Sequence, residues 1–178
     1  MPNSFEIFRN KTRALIFTTQ PAIAKLVQKT LSFYDKDVDF FSPERSPETY
    51  TSDFIILPIS EITDARAFEP NIVFISSEMN IGDLSELFPK ITPGGVLIHH
   101  EEISAVVENS ENFFKKMEFG DPKIRKSERS FVLQSDMGAI PLETGDELLI
   151  KNLVGIQYFT QQFGVMEEEF YEPLMNYQ

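Results

Sequence analysis

The sequence has no cysteine and no tryptophan among its 178 residues. Without cysteine there is no disulfide framework and no thiolate metal site, which fits a reducing compartment. Basic residues are scarce: 16 Lys and Arg stand against 28 Asp and Glu, a formal net charge of −12. A nucleic-acid binder needs a basic footprint to release counterions from phosphates, and none is visible. The same charge argues against anionic membrane surfaces as partners. Long apolar runs are missing too. Stretches such as Phe54 to Ile59 are far too short to span a bilayer. The N-terminus, MPNSFEIFRNKTR, carries charge before any apolar run, unlike a signal peptide. A cytoplasmic protein is expected.

What is present is apolar enough to build a core. Hydrophobic residues make up 42% of the chain, with 17 phenylalanines. This length fits one domain, taken as residues 1–178. Thr12 to Phe17 reads as a buried strand, and its apolar run suits a strand covered on both faces. Pro21 can open a helix, where its missing N–H costs nothing. Ile23, Leu26, Val27, Thr30 and Leu31 follow at helical spacing. Val38 to Phe41, Phe54 to Ile59, Asn71 to Ser76 and Val96 to His99 read as further strands. Residues 42–52 read as a loop, and the stretch before Pro70 as a short polar connection. Ile81 to Lys90 and Ile103 to Phe114 are expected to be helical, and Met117 to Gly120 a strand.

Ser130 to Gln134 and Ala139 to Leu142 flank a turn at Ser135-Asp136-Met137-Gly138, the pattern of a β-hairpin. Leu149, Leu153, Ile156, Phe159 and Phe163 form a helical stripe that Gly164 can end. Glu167, Glu168 and Glu169 suit the first turn of a last helix. Alternating strands and helices predict an α/β fold of three layers. It has a mostly parallel sheet, helices on both faces and the hairpin as an antiparallel extension at one edge.

After the strand ending at Phe17 a phosphate-binding loop would fit. The chain instead runs Thr18-Thr19-Gln20-Pro21-Ala22-Ile23, with no glycine and no lysine followed by a hydroxyl. Neither a G-x-G-x-x-G loop nor a G-x-S-x-G elbow occurs anywhere. His99-His100-Glu101-Glu102 is the one histidine cluster. Neighbouring residues on a strand face opposite sides, so the two histidines do not readily share a metal. The tyrosines and phenylalanines near the C-terminus read as core or interface aromatics.

Four ordered segments resemble the Mur ligases, the peptidoglycan amino-acid and peptide ligases. Asn10-Lys11-Thr12-Arg13 and its strand resemble the entry to that family's ATP loop. Pro70 to Ser76, PNIVFIS, resembles the family strand "PNIALIS", which runs on into a "DH" pair. Ile91 to Glu102, ITPGGVLIHHEE, resembles "ITPGGTLIYYEED". The tail from Ile140 through Asn152 to Tyr171 resembles "IPL…GxHNxxNxxGA…LGI…EFYEAI". The resemblance covers only the central, ATPase-like domain of a three-domain enzyme and implies that domain's fold.

The family's loop "GSHGKTT" falls on Thr18 to Ala24. There Pro21 removes a donor, Ala22 the cation and Ile23 the metal-binding hydroxyl. Pro58 stands where the family has a magnesium-binding glutamate, and Glu78-Met79-Asn80 near its "DH" pair. Leu148 and Leu149 replace "HN", leaving Asn152 alone from that motif. Phosphoryl transfer is nearly all positioning and charge neutralisation, so losses on one surface argue against it. No catalytic residue, no metal and no cofactor is expected, and the chain reads as a degenerate, non-catalytic member.

Its expected ligand-binding set is Thr18, Thr19, Gln20, Ser76, Ser77, Glu78, His99, His100 and Asn152. All but the last lie at carboxyl ends of strands, where open α/β sheets bind. The implied partners are a cell-wall precursor, a nucleotide without magnesium, or an intact Mur ligase. Two other classes compete. A methyltransferase fits Pro93-Gly94-Gly95-Val96-Leu97 but needs a glycine-rich turn that Thr18 to Ala22 does not supply. A self-assembly module would show a large apolar surface.

Overall fold

The computed structural model describes residues 5–42, 49–128 and 130–178, with backbone alone at position 83. Contacts divide the chain into two compact units. One is drawn from the segments up to Thr19 and from Asp37 to Glu118, the other from Gln20–Lys36 and Phe119–Gln178.

The first unit is built on a sheet. Its strands are β1 (Thr12–Phe17), β2 (Asp39–Phe40), β3 (Phe54–Ile59), β4 (Ile72–Ile75), β5 (Gly95–His100) and β6 (Phe114–Phe119). Their order among the described residues is β2-β3-β1-β4-β5-β6. β1 pairs in parallel with β3 and with β4, β3 with β2, and β4 with β5. Apolar side chains alternate across it. Leu15, Phe17, Ile55, Leu57, Val73, Ile75 and Leu97 join one core cluster. Ala14, Ile16, Ile56, Phe74 and Ile98 point the other way and are fully buried as well. Strands buried on both faces explain why the sequence reads there as continuous apolar runs.

Pro58 sits inside β3 without breaking the ladder. The carbonyls of Asp53 and Ile59 face β1, accepting from Thr12 and Thr18 at 2.8 and 3.0 Å. That of Ile56 faces β2, accepting from Phe41. By this alternation the N–H that Pro58 does not have would face the β2 side, beyond the end of the β2 pairing. The core also holds aromatic rings in edge-to-face contact, with Phe8 5.1 Å from Phe41 and 5.2 Å from Tyr50. Such pairs add about 0.5–1.5 kcal/mol each beyond burial.

Among the described residues, the α-helices of this unit are α2 (Ile62–Phe68), α3 (Ile81–Leu87) and α4 (Ser104–Glu108). The stretch expected as a polar connection before Pro70 is therefore the helix α2. Ala65 and Phe68 are buried, and Glu69 leaves the helix in a left-handed conformation with φ 49°. The helix expected over Ile103 to Phe114 is shorter, since α4 ends at Glu108 and Phe114 already opens β6. Asn112 accounts for the turn between them. Its side-chain amide donates to the carbonyls of Phe88 and Ile91, both at 2.8 Å.

The second unit contains α1 (Pro21–Phe33) and a separate three-stranded antiparallel sheet, β7 (Ile124–Lys126), β8 (Phe131–Ser135) and β9 (Gly138–Leu142). The expected hairpin is thus present, in a sheet of its own. Ser135 pairs with Gly138, whose φ of 112° suits glycine alone. The C-terminal stripe forms two helices, α5 (Glu147–Lys151) and α6 (Leu153–Gln161), followed by α7 (Glu167–Met175). The five buried residues of α1 are those its sequence spacing marks, from Ile23 to Leu31. α1 is tied to the end of the chain by Tyr177, whose hydroxyl donates to the Ala22 carbonyl at 2.9 Å. Tyr34 does the same to Glu169 at 2.7 Å. Among the described residues, no helix is long and apolar enough to cross a membrane.

Candidate functional site

β1 and β4 are neighbours, so their carboxyl ends lie side by side. The residues that leave them, Thr18-Thr19 and Ser76-Ser77-Glu78, meet there. The Ser76 N–H donates to the Phe17 carbonyl at 3.1 Å, and the Ser76 hydroxyl oxygen lies 3.2 Å from the same carbonyl. A tight turn closes when Met79 N–H donates to the Ser76 carbonyl at 3.2 Å. This turn swings the Glu78 carboxylate back over the end of β1.

One carboxylate oxygen, Oε1, then collects the donors of the site. It accepts from the Ser76 hydroxyl at 2.6 Å and from the Thr18 hydroxyl at 2.7 Å. It also accepts the Thr19 backbone N–H at 3.0 Å and the Thr19 hydroxyl at 3.3 Å. Thr18 and Ser76 are buried, and Thr19 is exposed. The other oxygen, Oε2, is buried with no partner among the described residues. Hydrogen bonds to an ionised acceptor are shorter and stronger than neutral ones. The end of β1 is therefore organised around a negative charge belonging to the chain itself. The following turn has no glycine, and Pro21 opens α1 at its first position.

The nine expected residues are drawn from both units, Gln20 and Asn152 from the second and the other seven from the first. Thr18, Thr19, Ser76 and Glu78 come together, with Ser77 half-buried beside them. Gln20 is the residue before α1, and its carbonyl accepts from Ile23 N–H at 3.2 Å. His99 and His100 are each only 2% exposed at the end of β5. His99 Nδ1 lies 3.0 Å from the His100 carbonyl, so that nitrogen carries the proton and donates. Burial pushes the His99 ring below its ordinary pKa. The backbone bond and the charges of Glu118 and Glu108 oppose that push, while Lys116 adds to it. His100 Nδ1 accepts the Glu102 N–H at 3.3 Å.

Asn152 belongs to the second unit and is fully buried at the joint of α5 and α6. Its side-chain amide donates to the Leu148 carbonyl at 2.9 Å, and its own carbonyl accepts from Ile156. Among the described residues, no group of three or more His, Asp or Glu side chains is placed to hold a metal ion.

No family model matches the sequence, and no curated protein does. Solved structures do match. The UDP-N-acetylmuramoylalanyl-D-glutamyl-2,6-diaminopimelate–D-alanyl-D-alanyl ligase of Acinetobacter baumannii superposes with a TM-score of 0.73 at 15% identity. The match covers 97% of this chain and 47% of the ligase. The UDP-N-acetylmuramate:L-alanyl-γ-D-glutamyl-meso-diaminopimelate ligase of Neisseria meningitides gives 0.71 at 11% identity, over 97% and 68% of the two chains. The MurF ligase of Thermotoga maritima, solved in complex with ADP, gives 0.63 at 10% identity over 92% and 48%. Nearly all of this chain therefore has the α/β fold of the Mur ligases, and it spans about half the length of the first of these enzymes.

Proposed function

We propose that this chain is a Mur ligase-like domain that acts by binding and does not carry out ATP-dependent ligation. The observation that carries the reading is the Glu78 carboxylate, held by Thr18, Thr19 and Ser76 at the end of β1. A phosphate cradle needs free N–H groups and a cation. Here the Thr19 N–H is already taken by a carboxylate, and the positions of the resemblance hold Pro21, Ala22 and Ile23. A triphosphate approaching this turn would meet a like charge, and expelling that carboxylate would break four hydrogen bonds.

The partners this reading favours are a cell-wall precursor, a nucleotide without magnesium, or an intact Mur ligase, in a cytoplasmic setting. An acidic surface argues against nucleic acid and membranes as alternatives. Calorimetry of the full chain with ATP and magnesium tests the catalytic half. No heat of binding in the micromolar range and no phosphate release are expected, and magnesium-dependent binding overturns the reading. Surface plasmon resonance tests the binding half, with a purified Mur ligase and a UDP-N-acetylmuramyl peptide as analytes. Saturable binding of either supports it, and silence from both removes the cell-wall partners.

A further inference from the structure

Among the described residues, Phe113 is the most exposed large apolar side chain, at 79%. Its backbone is nonetheless fixed. The Phe113 N–H donates to Asn112 Oδ1 at 2.9 Å, and its carbonyl accepts the Gly94 N–H at 2.8 Å. A single exposed ring is ordinary on a protein surface. This one stands next to a groove of a size to receive it.

The groove belongs to the first unit and holds about 340 Å³. Ser85, Phe88 and Pro89 line it from α3 and the short turn of helix that follows, and Val106 and Asn109 line it from α4 and its end. Glu111 and Asn112 line it from the segment that leads to Phe113. Asn112 ties these parts together. Its amide donates to the carbonyls of Phe88 and Ile91, while its oxygen takes the Phe113 N–H. Groove and ring are therefore held to one another before any contact forms, which lowers the ordering entropy of binding.

A projecting ring beside a groove is self-complementary. Two identical chains related by a two-fold axis can each place the ring in the groove of the other. The charges select this occupant. Glu111 and Lys115 are both exposed, and they stand two residues to either side of Phe113. A two-fold axis beside Phe113 runs the two segments in opposite directions. Glu111 of each copy then meets Lys115 of the other, whereas a parallel approach would set like charges together. Lys116 is not the cation involved, because it already pairs with Glu108 at 3.0 Å.

We propose that this face joins two copies of the chain in a two-fold dimer, with Phe113 of each copy in the groove of the other and Glu111 against Lys115. The surface stands apart from the reading of Glu78 and does not depend on it.

Sedimentation equilibrium of the full chain tests this, over concentrations from about 5 to about 500 μM. The mass is expected to rise to that of two copies and no further. Phe113→Ser should weaken association by at least about tenfold, the loss typical of a central aromatic contact. Glu111→Lys makes the chain less acidic, so net charge alone would strengthen association. The proposed pairing sets lysines against one another in that variant and weakens it instead. Adding Lys115→Glu to Glu111→Lys restores opposite charges and should recover most of the affinity. All three positions are exposed or line the surface, and thermal melts matching wild type confirm that each variant is folded when it is scored. A chain that stays monomeric at every concentration overturns the proposal. A dimer untouched by Phe113→Ser overturns it too, as does a mass that climbs past two copies. Stronger association in Glu111→Lys, or a double variant no tighter than the single one, overturns the charge pairing and with it the two-fold arrangement.

Discussion

The Glu78 carboxylate lies 2.7 Å from the Thr18 hydroxyl, across 60 residues of sequence. The contact joins the exits of two neighbouring parallel strands. It makes one side chain the acceptor for a whole turn, since the same oxygen also serves Ser76 and the Thr19 N–H. A group that organises its surroundings this way has a measurable effect on stability.

Glu78→Ala removes the acceptor from the buried Thr18 and Ser76 hydroxyls and from the Thr19 N–H. Losing one partner of a buried hydrogen bond costs about 1–3 kcal/mol. In a chain of this size each kcal/mol lowers the melting temperature by about 2–4 °C. Glu78→Gln keeps one oxygen acceptor but not the charge and should lie between wild type and alanine. Urea melts of the three proteins decide it. An alanine variant as stable as wild type would mean the turn holds itself together without the carboxylate.

Much of the fold is legible in the sequence, for a physical reason. β1, β3, β4 and β5 are buried on both faces, so each appears as an unbroken apolar run, and α1 shows its buried stripe residue by residue. The elements that escape are short or set from a distance. α2 is seven residues long and buries only Ala65 and Phe68, too few to show a helical period. α4 ends where it does because Asn112 reaches back to Phe88 and Ile91, a contact no local pattern contains. The site shows the same split. Thr18, Thr19, Ser76 and Glu78 are found from strand ends, whereas the role of Glu78 as their common acceptor is a long-range fact.

The Pro93-Gly94-Gly95 turn separates two uses of glycine. Gly94 has φ 82°, with open space where a Cβ would go. Gly94→Ala should cost about 1–2 kcal/mol from the left-handed backbone alone. Gly95 has an ordinary φ, but a Cβ there would lie 2.4 Å from the Asn71 carbonyl and 2.8 Å from that of Thr92. Backbone atoms in the sheet cannot retreat, and Val96 N–H also donates to the Asn71 carbonyl at 2.9 Å. Gly95→Ala should therefore be the more damaging of the two in side-by-side thermal melts. The reverse order would show that the β5 entrance yields more easily than its hydrogen bonds suggest.

Restoring a lysine alone should not restore nucleotide binding. Ala22→Lys places a cation in the first turn of α1, but the preceding turn still has no glycine and begins its helix with Pro21. The double variant Ala22→Lys, Glu78→Ala should stay silent as well, because charge without a backbone cradle gives little specific affinity. Calorimetry with ATP and magnesium measures both. Micromolar binding by the single variant would show that one missing charge was the whole defect.

His99 predicts a pH dependence confined to a narrow window. Its folded pKa lies below the ordinary 6.5, chiefly because burial disfavours the charged ring. Glu118 and Glu108 favour the cation, and Lys116 disfavours it, leaving the direction downward. The unfolded chain therefore binds a proton at higher pH than the folded one. Stability is full above the unfolded value and falls as the pH drops below it. The fall levels off once the buried ring itself is protonated. Urea midpoints at about pH 7.5 and about pH 5.5 bracket that unfolded value. His99→Gln removes the titrating group while keeping a side chain that can donate to the His100 carbonyl. The drop between the two pH values should be smaller in His99→Gln than in wild type, and the difference cancels every titration the two proteins share. Equal drops would mean that His99 titrates alike in the folded and unfolded chains, and that its burial at the end of β5 carries no proton-linked cost.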